Sequence, residues 1–462
     1  MGFSPQLADI RFGCGLAPDV PSPASVPMML DGLSGPDHMA QRFAVEDFDG
    51  FQARYQRMVL LHRQKREAAN QADQAPLQDE ITEIWMKTRE EEVRWYGQIL
   101  SRWRHSPNGF RERLVLFWKD HFTAMGKVGI LRLGTQPYVE SAIRPNVAGS
   151  FADLLIAAVT HPVMLQYLDQ NVSAGPNSHA VAVKKRKGVG LNENLAREVL
   201  ELHTLGVNGP YAQQDVRALA KLFTGMTFNT TGEFRFAKGM AEPGAQQVLG
   251  ARYGGAKPQQ ARVLAVLRDL AVHPATAAHI AHKLAVHFVS DTPPPALVDD
   301  LTAAYLRSDG DLMTVYAVLL GHPDAWRPEP ANVKPAFDYV ASACRALGVE
   351  PQMLFDQAVR KARFRLQFPM AAMGQNWLRP SGPNGWPEED DAWITPQGLS
   401  ARIRWAMSVP RLLGSDLPEP ADFVDTALGP FANDRVRFAA SAAETRTEGV
   451  GLVLSSPAFQ RR

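Results

Sequence analysis

Apolar residues recur at intervals of three and four along most of this chain, which is the spacing of an α-helix with one buried face. Between Ala44 and Trp103 the pattern predicts two long helices with a break near residues 71–75. A further helix is predicted from Phe110 to Phe122. Three later helices follow a His-Pro pair, which is more typical of a helix junction than of a ligand set, because proline suits the first helical position.

The pattern changes to strand-like alternation between Thr227 and Tyr253, around a Thr-Thr-Gly turn. We therefore predict a mainly α protein, built as one large multi-helical unit with a small inserted β-hairpin. The predicted segments are a loop-rich N-terminal stretch (1–40), an N-terminal helical half (41–226), the hairpin insertion (227–256) and a C-terminal helical half (257–462).

The segment from Asn192 to Gly206 holds the main candidate site. On an ideal helical wheel, four apolar residues form one stripe, and Glu198 projects within that stripe. The stripe consists of Leu195, Val199, Leu202 and Leu205. Glu201 lies at its edge, beside Arg197. A carboxylate that faces a core must be paired, protonated or bound to a metal, because burying it alone is too costly.

His121 is a second candidate, because it shares a narrow helical stripe with apolar residues. These are Phe110, Leu114 and Phe117. A histidine on such a stripe is either a neutral imidazole bonded to a backbone carbonyl, or a ligand or base. Carboxylate plus imidazole suits zinc, iron or manganese, and it equally suits a buried pair that only joins two helices. Both interpretations of Glu198 with His121 stay open.

Trp386 and Trp393 flank the acidic run from Glu388 to Asp391. Two tryptophans beside carboxylates are compatible with a platform for sugars. The spacing of a calcium-binding loop is absent. A hydrated turn beside a structural tryptophan is the alternative interpretation.

Two other charged segments are more typical of solvent-exposed surface than of a site. The helix after Pro274 places His279, His282 and Lys283 away from its apolar residues, which predicts a solvated face. The basic run from Lys184 to Lys187 has no interleaved aromatic residues, whereas single-stranded nucleic-acid sites usually add stacking platforms. We interpret it as a loop, with anion recognition as the alternative.

Composition narrows the class of protein. Of 462 residues, 45% are hydrophobic and 21% are charged, and the net charge is +1. This balance gives no reason to expect nucleic acid or an anionic membrane as a partner. No apolar run approaches the ~20 residues that span a bilayer. The first residues lack the features of a secretory signal, so we expect a cytoplasmic location.

Five distinctive segments occur in the order ERLVLFWKDHF, NENLAREVLELHTLGVNGPYAQQDVRALAKLFTGMTF, HPATAAHIAHKLAVHFVSDTPPP, NGWPEEDDAWI and LSSPAFQRR. Together they resemble the bacterial domain of unknown function 1800 family, from about residue 80 to the last residue. The resemblance implies one mainly helical unit and no established reaction. It also implies a partner from the domain of unknown function 1501 family, which resembles sulfatases. Members are often exported, unlike the location expected above.

The family motifs correspond to individual residues of this chain. The "FWxxHF" motif corresponds to His121, and the "GWP" turn to residues 385–387. The "NExxARExLEL" motif corresponds to Asn194, Arg197, Glu198, Glu201 and Leu202. One departure is Ala212, where members often have a threonine as a helix cap. Its absence is expected to cost about 1 kcal/mol locally.

The first functional hypothesis is an enzyme with a buried acid–histidine centre formed by Glu198, Glu201 and His121. Arg197 and Asn194 would orient the carboxylates. Glu198 and His121 would bind a divalent transition metal for hydrolytic or redox chemistry. The identity of any cofactor stays open.

Two alternatives involve no such centre. In one, the chain is a non-catalytic helical scaffold that binds a partner protein, and Glu198 is a structural clamp. In the other, it binds a carbohydrate or another polymer through Trp386 and Trp393.

Overall fold

A computed structural model describes residues 2–184, 190–413 and 416–462 of the chain. The basic run from Lys184 to Lys187 falls outside the described residues, apart from the backbone of Lys184, so its interpretation is not addressed. The fold is mainly α, as predicted, with short antiparallel strands inserted near the middle.

The helices before the strands begin within the first forty residues, a stretch that we expected to be rich in loops. The two long helices predicted between Ala44 and Trp103 are α4 and α5, and they meet near residue 70. The α-helices are α1 (Pro5–Leu7), α2 (Val26–Ser34), α3 (His38–Arg42), α4 (Phe48–Glu67), α5 (Gln71–His105), α6 (Gly109–His121), α7 (Thr135–Tyr138), α8 (Phe151–Thr160), α9 (Pro162–Tyr167), α10 (His179–Lys184), α11 (Asn194–Glu198) and α12 (Gln213–Phe223).

The inserted region contains two hairpins in the described chain, where the sequence indicated one. The strands are β1 (Met226–Phe228), β2 (Phe234–Phe236), β3 (Gly244–Val248) and β4 (Ala251–Gly255). β1 pairs with β2 so that Thr227 faces Arg235, and β3 pairs with β4 so that Gln246 faces Tyr253. The second hairpin packs on α12, so the insertion is attached to the helical part of the fold.

The chain after the hairpins returns to helices. The α-helices are α13 (Gln260–Ala271), α14 (Pro274–Phe288), α15 (Pro295–Arg307), α16 (Leu312–Gly321), α17 (Ala336–Ala346), α18 (Pro351–Ala362), α19 (Phe368–Ala372), α20 (Pro396–Ser408), α21 (Pro420–Leu428), α22 (Asp434–Ser441), α23 (Arg446–Ser455) and α24 (Pro457–Gln460).

Short π and 3₁₀ turns join many of these helices. The π turns are Ala8–Phe12, Val139–Ile143, Val199–His203 and Arg363–Gln367, and the 3₁₀ turns are Gly129–Leu133, Arg144–Asn146, Gln170–Val172, Pro323–Trp326, Asp390–Ala392, Pro410–Leu412 and Gly429–Phe431.

The His-Pro pairs are helix starts, as the sequence predicted. The Nδ1 atom of His161 accepts a hydrogen bond from the backbone N–H of Val163 at 3.2 Å. His273 and His322 cap the helical turns after them in the same way. These three histidines therefore satisfy backbone donors that a helix start leaves without a partner.

Helices α6 and α14 meet through aromatic side chains in the core. The rings of Phe110 and Phe288 are 5.5 Å apart, and Phe117 lies 5.1 Å from the ring of His287. Burying each phenylalanine stabilises the fold by about 1.5–3 kcal/mol. The start of α6 therefore lies beside the end of α14, while His121 at the end of α6 lies near His279 in the first half of α14, so the two helices pack antiparallel. In the described chain, no helix is both long enough and apolar enough to cross a membrane.

Candidate functional site

Glu198 lies where α11 meets the π turn Val199–His203, and its side chain is half-buried at the surface. Its charged neighbours are Glu201 and Arg197, which belong to the same segment. Burial and the charge of Glu201 raise the pKa of Glu198. The prediction that this carboxylate points into the core is therefore wrong.

The physical reason is the side of the segment that faces the core. The buried residues are Leu195, Ala196, Val199, Leu200, His203, Thr204 and Leu205. Leu202, which the ideal wheel placed in the stripe, is only half-buried. The buried face predicted from the leucines is therefore rotated about the helix axis by about one residue, or ~100°, from the face that is buried in the structure. The wide π turn adds to the error, because an ideal wheel assumes α-helical spacing throughout.

His121 is buried, but its neighbours are two other histidines and not Glu198, the partner that the sequence suggested. Its Nε2 atom lies 3.2 Å from the carbonyl oxygen of His203. The ring centroids of His121 and His203 are 5.9 Å apart, and those of His121 and His279 are 6.1 Å apart. Burial lowers the pKa of His121 well below its usual value and that of His203 to about 3. These imidazoles are therefore neutral at pH 7.

The other predicted residues of this centre lie on a partly exposed face. Arg197 donates to Glu201 at 3.0 Å and to Gln213 at 2.9 Å, and 40% of its side chain is exposed. Asn194 is exposed. The structure thus brings Arg197 and Glu201 together along the surface, as the spacing predicted.

No group of three or more His, Cys, Asp or Glu side chains is placed to hold a metal ion in the part of the chain that the structure describes. The metal-ligand roles of Glu198 and His121 therefore stay hypotheses that the geometry does not support.

Trp386 and Trp393 do lie together, with ring centroids 6.3 Å apart and planes inclined by 54°. Trp393 is buried, and its Nε1–H donates to the carbonyl of Pro387 at 3.0 Å. Trp386 is half-buried. Trp393 thus supports the turn, whereas Trp386 has a face that a ligand can reach.

The turn carrying Trp386 is attached to Asp120 near the end of α6. The backbone N–H of Trp386 donates to Oδ2 of Asp120 at 2.9 Å, across 266 positions of sequence. Gly385 has a φ of +75°, and a Cβ atom there would lie 2.7 Å from the Asp120 side chain. Both the positive φ and the close approach require glycine at this position.

Two neighbouring spaces lie at this turn, and Trp386, Pro387 and Glu388 line both of them. The inner cavity has a volume of about 50 Å³, and its lining includes Arg113, Phe117, Lys119, Asp120, His287, Asp338, Trp377, Glu388 and Arg462. The outer cleft has a volume of about 320 Å³ and is lined by His282, Lys283, Val286, Asp291, Asn384, Trp386, Pro387, Glu388 and Glu389. The outer volume falls in the range of small-molecule sites.

Helix α14 supplies titratable groups to this region at intervals of four residues. His279 lies in the histidine cluster, Lys283 lines the outer cleft, and His287 lines the inner cavity. His287 is buried, whereas His282 is exposed. The predicted solvated face therefore holds for His282 and is wrong for His279 and Lys283, which are half-buried.

A chain of hydrogen bonds orients Glu388. Its Oε2 atom lies 2.8 Å from Nδ1 of His287, and Nε2 of His287 lies 3.3 Å from a guanidinium nitrogen of Arg113. A guanidinium can only donate, so Nε2 accepts and the Nδ1–H of His287 donates to Glu388. Arg113 also pairs with Asp338, which in turn pairs with Arg462. His287 thus positions Glu388 and is not free to act as a base.

Of the three carboxyl groups that line the inner cavity, Asp338 is paired with two arginines, and the other two, Asp120 and Glu388, are in opposite electrostatic environments. Burial, reinforced by the charge of Glu388, raises the pKa of Asp120 to about 7. Burial alone would raise the pKa of Glu388 as well, but His287 and Arg462 lower it to about 2. Near neutral pH, Asp120 can exchange a proton while Glu388 stays ionised.

Sequence reasoning missed Asp120, Lys283, His287 and Glu388 as site residues. Asp120 precedes His121 and lies about 100° from it around α6, so it is not part of the apolar stripe that indicated the histidine. The interval of four from His279 through Lys283 to His287 is a signal that sequence could have used. Glu388 was assigned to a hydrated turn, because nothing local shows that His287 covers it.

The fold and this cleft define a mainly helical protein in which tryptophan and titratable side chains line one partly open site. The chain belongs to the family described as "Protein of unknown function (DUF1800)", whose model matches residues 34–461. No curated protein and no solved structure matches the chain.

Proposed function

We propose that the chain is a hydrolytic enzyme that cleaves glycosidic bonds by acid–base catalysis in the outer cleft and inner cavity. The observation that carries this proposal is the pair of carboxyl groups, Asp120 and Glu388, in one cavity. Their environments move their pKa values apart, to about 7 and about 2. Such pairs are characteristic of sites that need one proton donor and one permanent anion.

Each carboxyl group has a distinct role in the proposed reaction. Asp120, whose raised pKa lets it carry a proton near pH 7, donates that proton to the leaving oxygen as the bond from this oxygen to the sugar carbon breaks. A water molecule then bonds to the same carbon and returns a proton to Asp120. Glu388, held ionised by His287, stabilises the positive charge that develops on the sugar ring. Trp386 offers its ring face at the mouth of the cleft, where a sugar can stack. The outer cleft of about 320 Å³ has room for such a unit.

This proposal keeps the hydrolytic option of the first sequence-based hypothesis, which was metal-assisted hydrolytic or redox chemistry, but it involves no metal and uses different residues. Glu198, Glu201, Arg197 and Asn194 lie on a partly exposed segment and have no part in it. His121 follows Asp120 directly and packs beneath the site with the other histidines. Trp386 keeps its predicted contact with substrate, and Trp393 is assigned to supporting Trp386.

The test is Asp120→Asn, assayed by the release of reducing ends from a panel of oligosaccharides. Asparagine keeps an oxygen that accepts the N–H of Trp386 but cannot donate the catalytic proton. We expect kcat/KM to fall by about 10²–10⁴, with an unchanged melting temperature. The matched control is Asp169→Asn, because 48% of the Asp169 side chain is exposed and its φ of +55° suits asparagine. Cleavage that Asp120→Asn leaves intact would refute the proposal.

A second proposal is the binding of a partner from the domain of unknown function 1501 family. An apolar groove of about 460 Å³ favours it, and its lining includes Trp326, Pro328, Pro330, Pro430 and Phe431. Exposed apolar grooves of this kind are common at protein interfaces. Co-purification of the two proteins should fail with Phe431→Asp if this groove holds the partner. Retained co-purification would rule the groove out.

A further inference from the structure

We infer that the inner cavity binds one oxyanion, a carboxylate or a sulfate, carried by the sugar substrate. This inference rests on the proposed function and adds a substrate class to it. The ligand would be an acidic sugar, such as a hexuronic acid or a sugar sulfate. Its ring would lie in the outer cleft beside Trp386, and its anionic group would enter the inner cavity.

The charges around Asp338 carry the inference. Asp338 is buried and forms ion pairs with both Arg113 and Arg462. Lys334 and Arg402 are also buried and act electrostatically on the same group of charges. Among the described residues, four cations therefore interact with Asp338, and two of them, Arg113 and Arg462, line the inner cavity. Glu388 is a further anion that interacts with Arg462. The inner side of the site carries more positive than negative charge.

Because these cations are buried, the excess of positive charge is unfavourable for the folded protein. Arg113, Arg462 and Lys334 are each at most 6% exposed. The Nε atoms of Arg113 and Arg462 have no hydrogen-bond partner among the described residues. The Nζ atom of Lys334 lies 4.0 Å from the ring centre of Phe459, and no carboxylate is within ion-pair distance of it in the described chain. A buried cation without a counterion is unfavourable, so an incoming anion would be stabilised.

The remaining charged groups do not cancel this excess. Lys119 and Asp120 balance each other in the inner cavity. In the outer cleft, Lys283 is accompanied by three carboxylates, Asp291, Glu388 and Glu389, so that space is acidic. An anionic group is therefore favoured only on the inner side. The small volume of about 50 Å³ admits a single such group, which excludes a ligand with several charges inside.

Calorimetry with four probes tests the inference: D-glucuronate, D-glucose 6-sulfate, inorganic sulfate and D-glucose. The titrations use Asp120→Asn protein, which removes turnover and the titration of Asp120. We expect the anionic sugars to bind at least about tenfold more tightly than glucose, a difference of about 1.4 kcal/mol. The relative affinities of the carboxylate and sulfate probes identify which oxyanion the cavity prefers. Binding of inorganic sulfate alone would contradict the assignment of a sugar ligand.

Lys334→Met is the decisive variant, because methionine fills a similar volume without charge. It should reduce the preference for the anionic sugars by about tenfold and leave the melting temperature unchanged or higher. Lys238→Met, at an exposed lysine, is the matched control and should change neither. An unchanged preference in Lys334→Met, or equal affinity for glucose and glucuronate, overturns the inference.

A pH titration of affinity keeps the test valid if Lys334→Met does not fold. Burial, reinforced by Arg113, Arg462 and Arg402 and opposed by Asp338, lowers the pKa of Lys334 to about 7. The affinity of Asp120→Asn protein for glucuronate should therefore fall as the pH rises through 7. A constant affinity between pH 6 and 8 overturns the inference. Anion binding without hydrolysis would refute the proposed function alone, and hydrolysis of neutral sugars only would refute the inference alone.

Discussion

Glu198 and Glu388 are both glutamates in charged, partly apolar stretches of sequence, yet the fold places them in opposite situations. The neighbours of Glu198 are Arg197 and Glu201 of its own segment, and all three have access to solvent. The partner of Glu388 is His287, which is buried and lies 101 residues away on α14, so that the partly exposed Glu388 depends on a distant element. The comparison shows that a carboxylate acquires unusual chemistry from elements that are distant in sequence.

Solvent explains the energetic difference between the two regions. An exposed ion pair such as Arg197–Glu201 is screened by water and salt, and it contributes about 0.2–0.5 kcal/mol. In the enclosed network of Arg113, Asp338 and Arg462, each charge depends on its partners, because water cannot replace them. Removing a charge should therefore matter far more in the second region.

The largest expected effect comes from removing Asp338. Asp338→Ala leaves two buried guanidiniums without their shared carboxylate, and we expect a loss of about 3–5 kcal/mol in the free energy of unfolding. Glu201→Ala, the counterpart in the exposed region, should cost only about 0.5 kcal/mol. Urea denaturation of both variants measures the difference. Equal losses of unfolding free energy in the two variants would contradict the view that buried ion pairs matter more than exposed ones in this protein.

A smaller effect concerns the buried histidines beneath the site. The pKa of His203 is about 3 in the folded chain, below the usual value near 6.5. As the pH falls below about 6.5, the unfolded chain binds a proton that the folded chain does not, so stability falls with acidification. The slope is up to about 1.4 kcal/mol per pH unit for each such histidine.

His203→Leu should make this slope shallower between pH 6 and pH 4. Neither ring nitrogen of His203 has a hydrogen-bond partner among the described residues, so leucine should be tolerated at pH 7. Denaturation at several pH values is the measurement. The control is His62→Leu, because His62 lies on the exposed face of α4. An unchanged slope would show that His203 does not contribute to the acid sensitivity.

The smallest effect is expected at the start of α12, whose first residue, Gln213, is hydrogen-bonded to Arg197 of the exposed ion pair. Asp215 already accepts the backbone N–H of Ala212 at 2.9 Å, which is half of a capping box. Ala212→Thr supplies the missing hydroxyl and should add about 0.5–1 kcal/mol to the free energy of unfolding. Ala212→Val has a similar shape without the hydroxyl and should give no gain. Equal stability of the two variants would contradict the capping explanation.

Much of the fold follows from local pattern, whereas little of the site does. The long helices α4 and α5, the histidine caps and the strand insertion are all visible in residue spacing. The pairing of Arg197 with Glu201 is equally local, because four residues make one helical turn. The orientation of Glu198 failed because the leucines gave the wrong face of a segment that ends in a π turn.

The amino-acid sequence by itself determined the mainly helical class, the helix starts, the family and the presence of Trp386 beside acidic residues. Only the tertiary structure decided that Asp120, His287 and Glu388 share one site. The reason is physical: helical periodicity depends on neighbours a few positions apart, while pKa values and ion pairing depend on which groups exclude water together. For Asp120 and Trp386 those groups lie 266 positions apart, where no local pattern connects them.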